Sequence, residues 1–280
     1  MARQSAWNFW NFNGFDLELY FCTEILKLNS LHYGYWLKHE SLTIENLRKA
    51  QQRYTDTLLH IIPENVSSVL DVGCGIGDVS RSLVHKGYVV DCLSPDKNHT
   101  RFFTASPENL HFFNQKFEEF SSGKKYDLIL MSESQNYFDP EQGFLQCTRH
   151  LKPNGYLLVS GMFRKKQSKE YANVTNIEKE YVRRARSHKF QLHRKLNITQ
   201  KILPTLHIAG NALQENKDDI PGLIDKHLSA SSPLQKAVLK LLFKTQSKQV
   251  QKTVQYYQER TNPALFLDKV SYLRLLFQKC

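Results

Sequence analysis

The chain has 280 residues, of which 41% are hydrophobic and 23% are charged, as in an ordinary globular protein. No apolar run reaches the roughly 18 to 20 residues that a membrane-spanning helix needs, and no signal-peptide stretch follows the first residues. The five cysteines are scattered without a CxxC pair, which favours free thiols in a reducing compartment over disulfides or a zinc site. These features predict a soluble cytoplasmic protein.

The net charge of +11 is unevenly distributed along the chain. Residues 1–150 carry 14 basic and 18 acidic side chains, net −4, whereas residues 151–280 carry 24 and 9, net +15. Basic surface on one half indicates an anionic partner, such as a membrane surface, an acidic substrate or RNA. A solvated basic face without a partner is the alternative.

The first 36 residues are rich in aromatic side chains, and we predict an N-terminal helical lid over residues 1–62. A helix is expected at about 15–28, and a second helix should begin near Ser41, whose hydroxyl can cap it. Pro63 ends this second helix. The aromatic rings either line an acceptor site or pack the lid on the core.

From residue 67 short apolar runs alternate with helical patterns, which is typical of a parallel sheet covered on both faces. We therefore predict an α/β fold with a doubly wound, mostly parallel, seven-stranded sheet over residues 63–199 and a final strand region at 263–280. Helices are predicted at 77–86, 95–105, 140–151 and 168–187. The predicted strands are 67–73, 88–93, 110–113, 126–132, 155–162, 189–199 and 270–278.

Residues 200–262 are expected to form a helical cap insertion broken at Pro204, Pro221 and Pro233. Lysines recur every fourth residue between 236 and 252, next to an apolar stripe. A basic amphipathic helix of this kind suits a membrane surface or acidic lipid. A cap helix that packs on the core with its lysine heads in water is the alternative.

The segment "DVGCGIG" (71–77) follows the first strand of the sheet and opens a helix. Glycines there let the backbone adopt positive φ and let a ligand approach the amides at the sheet edge where α/β folds bind ligands. A dinucleotide-binding G-x-G-x-x-G would need a glycine at position 78, which is Asp78.

The pattern D-x-G-x-G-x-G instead resembles the first motif of class I, Rossmann-like, S-adenosylmethionine-dependent methyltransferases. The resemblance implies S-adenosyl-L-methionine as cofactor, with S-adenosyl-L-homocysteine as product. It also implies that the aspartate orients the loop around the methionine end of the cofactor. The cofactor residues expected in this motif are Asp71, Gly73, Cys74, Gly75 and Gly77.

"LSPD" (93–96) resembles the segment that holds the ribose in this family, which points to Cys92, Leu93 and Ser94. Many members have an acid at the position of Cys92, and here Asp91 lies one residue earlier. Because a shift of one residue turns a strand side chain to the opposite face, either a bulge restores Asp91 to the site or Asp91 is structural. Lys116 stands where many relatives have an adenine-binding aspartate, so adenine should depend on the Phe117 amide, on apolar contact or on a nearby carboxylate such as Glu118.

"SES" (132–134) resembles the segment near the transferred methyl group in small-molecule methyltransferases, which points to Ser132 and Glu133. Glu133 is expected to position the acceptor or act as a general base, or else to be a cofactor-side or structural carboxylate. "LHYGYW" (31–36) resembles the segment that folds over the cofactor, which implicates Tyr33. His32 is either a catalytic base or a hydrogen-bonding residue.

These features predict a methyltransferase that acts on a small molecule, with an amphiphilic or lipid-like acceptor as a refinement. A second hypothesis is an RNA or protein methyltransferase that uses the basic run 164–195, although no aromatic RNA-binding motif accompanies that run. A third hypothesis is a non-catalytic cofactor-binding interaction module, favoured by Lys116 and Cys92. No metal is expected.

Overall fold

The computed structural model describes residues 11–12, 15–16, 19, 21–216 and 260–280. The chain divides into two compact units, Met1–Ile202 with Lys269–Cys280, and Leu203–Asp268. The lysine-rich segment 233–252 and the breaks predicted at Pro221 and Pro233 lie outside the described residues. Within the described ranges, no helix combines the length and apolarity needed to cross a bilayer.

The strands form where the sequence has short apolar runs. In chain order they are Asn11–Phe12 (β1), Phe15–Asp16 (β2), Ser68–Val72 (β3), Val89–Leu93 (β4), Leu110–Phe113 (β5), Tyr126–Ser132 (β6), Leu151–Arg164 (β7), Phe190–Asn197 (β8) and Val270–Lys279 (β9). Seven of them make one sheet in the order β5-β4-β3-β6-β7-β9-β8. Strands β3 to β7 pair in parallel, and β9 pairs antiparallel with both β7 and β8. The predicted seven-stranded, mostly parallel sheet is confirmed.

The helices lie between these strands. They are Ile44–Leu59 (α1), Asp78–His85 (α2), Pro140–His150 (α3), Glu178–Ser187 (α4), Thr199–Asn216 (α5) and Pro263–Lys269 (α6), with 3₁₀ turns at Lys97–Phe103 and Phe117–Glu119. Helix α1 is capped by Thr43, whose side chain accepts a hydrogen bond from the Asn46 amide, and not by Ser41. Pro204 lies inside α5 and does not end it, contrary to the predicted break.

Two predicted helices have other bounds than expected. Residues 15–16 pair with 11–12 as the strands β2 and β1, and the described helical residues of the predicted segment 15–28 are Leu19 and Phe21–Ile25. Helix α4 begins at Glu178 and not near residue 168. The segment before α4 hydrogen-bonds elsewhere, since the Asn176 amide donates to Asn136 Oδ1 at 3.1 Å and the Asn176 carbonyl accepts from the Arg164 amide at 2.9 Å.

The segment from Ser30 to Trp36, here called the cover segment, is docked on α1 by hydrogen bonds from a side chain of α1 to backbone carbonyls of the segment. The buried Gln51 amide group donates to the Ser30 carbonyl at 3.0 Å and to the His32 carbonyl at 2.8 Å. A Cβ on Gly34 would lie 2.7 Å from the Ala50 Cβ, so only glycine allows this approach. The cover segment is therefore held in one position relative to α1.

We predict that Gln51→Ala destabilises the fold by about 1–3 kcal/mol, because it leaves two buried carbonyls without their donor. The neighbouring Gln52→Ala is the matched control, since the Gln52 side chain is exposed and bonds only to Asp56. Chemical denaturation of both variants measures the difference. Equal free energies of unfolding for the two variants would contradict the proposed docking.

Candidate functional site

The glycine loop after β3 has the conformation that its sequence predicts. Gly73, Gly75 and Gly77 have φ values of 76°, 55° and 82°, a region that disfavours side chains. The amides of Gly73 and Cys74 both donate to the Leu93 carbonyl, at 2.8 and 3.1 Å. The end of β4 thereby fixes the start of the loop.

The middle of the loop is open to a ligand. Within the described residues, the Gly75 and Ile76 amides donate to no protein acceptor. A Cβ on Gly75 would meet only Leu31 of the cover segment, at 3.7 Å. A Cβ on Gly73 would instead lie 2.4 Å from the Ser134 Cβ, so Gly73 packs against the segment that follows β6. The loop thus presents two unpaired donors beside a space that a side chain at Gly75 would enter.

Asp71 connects the two elements that flank the glycine loop. Its carboxylate is 1% exposed and accepts a hydrogen bond from the Ser80 hydroxyl at 2.6 Å. Burial raises the pKa of Asp71 to about 7, although the Ser80 hydrogen bond opposes this shift. The carboxylate therefore connects the end of β3 to the first turn of α2, which supports the predicted role in orienting the loop.

The side chains at the end of β4 are enclosed by protein. Cys92 is fully buried, and Ser94 is 3% exposed with its hydroxyl 2.8 Å from His99 Nδ1. The ribose role of Cys92, Leu93 and Ser94 stays a prediction. Asp91 is structural, because its carboxylate binds the Tyr126 hydroxyl at 2.6 Å and Lys124 Nζ at 2.9 Å. The pairing of β4 shows no bulge that would turn Asp91 to the loop.

Lys116 lies largely in solvent. Its side chain is 61% exposed, and Nζ lies 3.5 Å from Glu119 Oε1. The Phe117 side chain is buried in the core, while the Phe117 amide donates to no acceptor in the described part of the chain. The amide remains the group that Phe117 can offer to a ligand, as predicted.

Glu133 is held at the end of β6 by two donors. Its Oε1 accepts from the Tyr33 amide at 3.0 Å and from the Tyr272 hydroxyl at 2.5 Å. Burial raises the pKa of Glu133, and the nearby His32 and the Tyr272 hydrogen bond partly oppose this shift. Glu133 also has φ of 63°, a strained value for a residue with a side chain. The structure thus brings Tyr33 and Glu133 together.

His32 lies beside Glu133 but donates from both ring nitrogens. Nδ1 is 2.8 Å from the Tyr33 carbonyl, and Nε2 is 2.9 Å from the Asp78 carboxylate. Burial lowers the pKa of His32, but the ion pair with Asp78 outweighs burial and the net shift is upward. Both partners are acceptors, so this geometry favours the doubly protonated imidazolium. This arrangement favours the hydrogen-bonding role over that of a base.

Three side chains of the site did not emerge from sequence reasoning. Tyr272 binds Glu133, Tyr54 binds Tyr272 at 2.9 Å, and Asp78 binds His32. In the sequence, Asp78 only stands out as the residue that occupies the third-glycine position of a dinucleotide motif. Its position at the first residue of α2, three residues after Gly75, was the available signal. For the two tyrosines no local pattern gives a signal.

The basic run 164–195 is partly neutralised by its own fold. Arg164 is 8% exposed, Lys195 pairs with Glu178, and Arg184 lies 3.9 Å from the Glu141 carboxylate. A nucleic-acid surface needs exposed, unpaired cations. Other cations of the run, such as Lys166, Arg183 and Arg186, are exposed, so the hypothesis of an RNA methyltransferase stays a prediction.

The open glycine loop after β3 and the Glu133 carboxylate at the end of β6 lie at the carboxyl edge of the parallel strands. Residues 45–195, more than half of the chain, match a family model described as a methyltransferase domain. The chain therefore belongs to this family, and the predicted S-adenosylmethionine-dependent methyltransferase class is confirmed.

Among curated proteins, the chain is similar to the ubiquinone biosynthesis O-methyltransferase of Rickettsia prowazekii, with 24% identity over 155 residues. This match covers 52% of the chain and 61% of the relative, which is less than two thirds of the relative's length.

Two solved structures show the same fold. The cyclopropane synthase MmaA2 from Mycobacterium tuberculosis has a TM-score of 0.70 and 15% identity, with coverage of 99% of this chain and 100% of that chain. Geranyl diphosphate C-methyltransferase from Streptomyces coelicolor has a TM-score of 0.63 and 14% identity, with coverage of 95% and 97%.

We predict that Asp78→Asn lowers the pKa of His32. The raised folded-state pKa means that protonated His32 stabilises the fold fully below about 6.5, and that this stabilisation is lost as the pH rises through the folded-state value. The free energy of unfolding should therefore fall with rising pH above about 6.5 in the wild type and more weakly in Asp78→Asn. Ring-nitrogen NMR and denaturation across this range measure both effects.

The control for this prediction is Asp139→Asn, because Asp139 caps α3 and asparagine caps equally well. It should leave the His32 titration unchanged. The imidazolium assignment would be wrong if the measured pKa of His32 in the wild type lay below the ordinary histidine value. It would also be wrong if Asp78→Asn left the pKa of His32 unchanged.

Proposed function

We propose that this protein transfers a methyl group from S-adenosylmethionine to a small-molecule acceptor. The observation that carries the proposal is the glycine loop, whose Gly75 and Ile76 amides have no acceptor among the described residues. Amides at the start of a helix and at the carboxyl edge of a parallel sheet suit the polar end of a nucleoside-linked ligand. Family membership supports the same cofactor.

The residues around the loop fit this cofactor. The Gly75 and Ile76 amides would hold its amino-acid end beneath Leu31, and the Phe117 amide would bind the adenine. The chemistry that S-adenosylmethionine supplies when bound is a methyl group already activated on a sulfonium sulfur. The protein must then hold the acceptor about 3–3.5 Å from this methyl group and keep water out.

Glu133 is the residue that we propose positions the acceptor. Both hydrogen bonds that fix it go to Oε1, and Oε2 has no hydrogen-bond donor among the described residues, so Oε2 is the oxygen that could bind an acceptor. Its raised pKa suits a carboxylate that takes a proton at neutral pH. The Tyr33 amide of the cover segment also donates to Glu133. The position of the cover segment over the loop and the orientation of Glu133 are therefore linked.

The name of the Rickettsia prowazekii relative specifies O-methylation in ubiquinone biosynthesis. This supports a small-molecule acceptor for the present chain. The amphiphilic refinement, the cytoplasmic location and the contact with a membrane stay predictions. The segment on which the membrane contact depends, 233–252, lies outside the described residues.

We predict that S-adenosylhomocysteine binds the wild type and that Gly75→Ala weakens this binding by about tenfold or more. The added Cβ would occupy the space above the two unpaired amides. Gly87→Ala is the matched control, since Gly87 has φ of 92° and nothing lies within 4 Å of its Cβ position. Both variants carry the same kind of backbone strain, so the difference between them isolates the ligand contact.

Isothermal titration calorimetry measures the three affinities. Equal affinities in Gly75→Ala and Gly87→Ala would contradict the assignment of the loop. A wild-type protein that does not bind S-adenosylhomocysteine would contradict the proposed function itself and would favour the non-catalytic module.

A further inference from the structure

A chain of buried hydroxyl groups leads away from Glu133. Tyr272 on β9 donates to Glu133 Oε1, and its oxygen lies 2.9 Å from the Tyr54 hydroxyl on α1. The Tyr54 hydroxyl in turn lies 2.7 Å from Ser160 Oγ and 3.1 Å from Ser132 Oγ. Tyr54 and Tyr272 are both fully buried. The carboxylate is thus the end of a hydrogen-bonded chain that crosses three strands and a helix.

The direction of the hydrogen bonds depends on the charge of Glu133. Each hydroxyl has one proton, so when Tyr272 donates to an ionised Glu133 its oxygen is free to accept the Tyr54 proton. Tyr54 can then accept from Ser160 and Ser132. Every bond in the chain points towards the carboxylate, and such cooperative chains stabilise the acceptor at their end.

The charges around this chain also favour an ionised Glu133. Arg274, two residues from Tyr272 on β9, is 2% exposed and has no carboxylate partner among the described residues. Its guanidinium lies 4.8 Å from the centre of the Tyr54 ring and donates to the Tyr54 carbonyl at 2.9 Å. Arg274 is thus a buried cation at the Tyr54 end of the chain. At the other end, His32 lowers the pKa of Glu133 more strongly than Asp78 raises it.

We propose that Tyr272, supported by Tyr54, is a positioning residue that keeps Glu133 ionised and directs its second oxygen towards an acceptor hydroxyl. This inference rests on the proposed function. In the reaction the acceptor oxygen bonds to the methyl carbon as the carbon–sulfur bond breaks. The bonding electron pair goes to the sulfur of S-adenosylhomocysteine, and the hydroxyl proton goes to Glu133 Oε2.

The groups that face Glu133 from each neighbouring element set the expected titration. They are His32 in the cover segment, Asp78 on α2, Tyr272 on β9 and, one hydroxyl further away, Tyr54 on α1. Removing the Tyr272 hydroxyl deletes a hydrogen bond that is stronger to the ionised carboxylate than to the protonated one. Its loss should therefore favour the protonated form of Glu133.

The test is a ¹³C NMR titration of the Glu133 carboxyl carbon in the full chain, assigned with Glu133→Gln. We expect Tyr272→Phe to move the Glu133 midpoint to higher pH and Tyr54→Phe to move it in the same direction by less. Tyr156→Phe is the control, since Tyr156 on β7 loses only a 3.3 Å hydrogen bond from Gln278. It should leave the midpoint unchanged.

An unchanged or lowered midpoint in Tyr272→Phe would overturn the inference. If Tyr272→Phe does not fold, an unchanged or lowered midpoint in Tyr54→Phe would overturn it equally. Calorimetry with S-adenosylhomocysteine on the same samples keeps the two proposals apart. Loss of binding in the wild type counts against the proposed function, whereas the Glu133 midpoint alone decides the role of Tyr272.

Discussion

The candidate site depends on one carbonyl group, that of Leu93 at the end of β4. It accepts the amides of Gly73 and Cys74, and so the loop that follows β3 is tied to the neighbouring strand. This leaves the next two amides, of Gly75 and Ile76, as the free donors of the loop. Positive φ at three glycines allows the turn, but the Leu93 carbonyl determines which amides face a ligand.

A second set of contacts holds the cover segment beside the glycine loop. The cover segment is bound to α1 through Gln51 and to the end of β6 through the Tyr33 amide and Glu133. Because Tyr272 binds the same carboxylate oxygen, the final strand of the sheet also takes part. Parts of the chain that are up to 239 residues apart (Tyr33 to Tyr272) therefore converge on one side chain. Their common function is to fix the orientation of Glu133.

Much of the fold follows from local sequence patterns. The apolar runs predict the strands of the sheet, and the glycines with Asp71 predict the loop, because both depend on neighbouring residues only. The structural role of Asp91 follows from strand alternation in the same way. The N-terminal pairing of β1 with β2 and the late start of α4 could not be predicted, since contacts with distant residues such as Asn136 override local helix preference. The hydrogen bonds between Tyr272, Tyr54 and Glu133 could not be predicted from local sequence either, because Tyr272 lies 139 residues from Glu133.

Backbone amide hydrogen exchange tests the central claim most directly. The Gly73 and Cys74 amides are bonded to Leu93, so they should be protected with or without a ligand. The Gly75 and Ile76 amides should exchange rapidly in the free protein and become protected when S-adenosylhomocysteine is added. Protection of all four amides in the free protein, or no change at Gly75 and Ile76 on saturation with the ligand, would contradict the account.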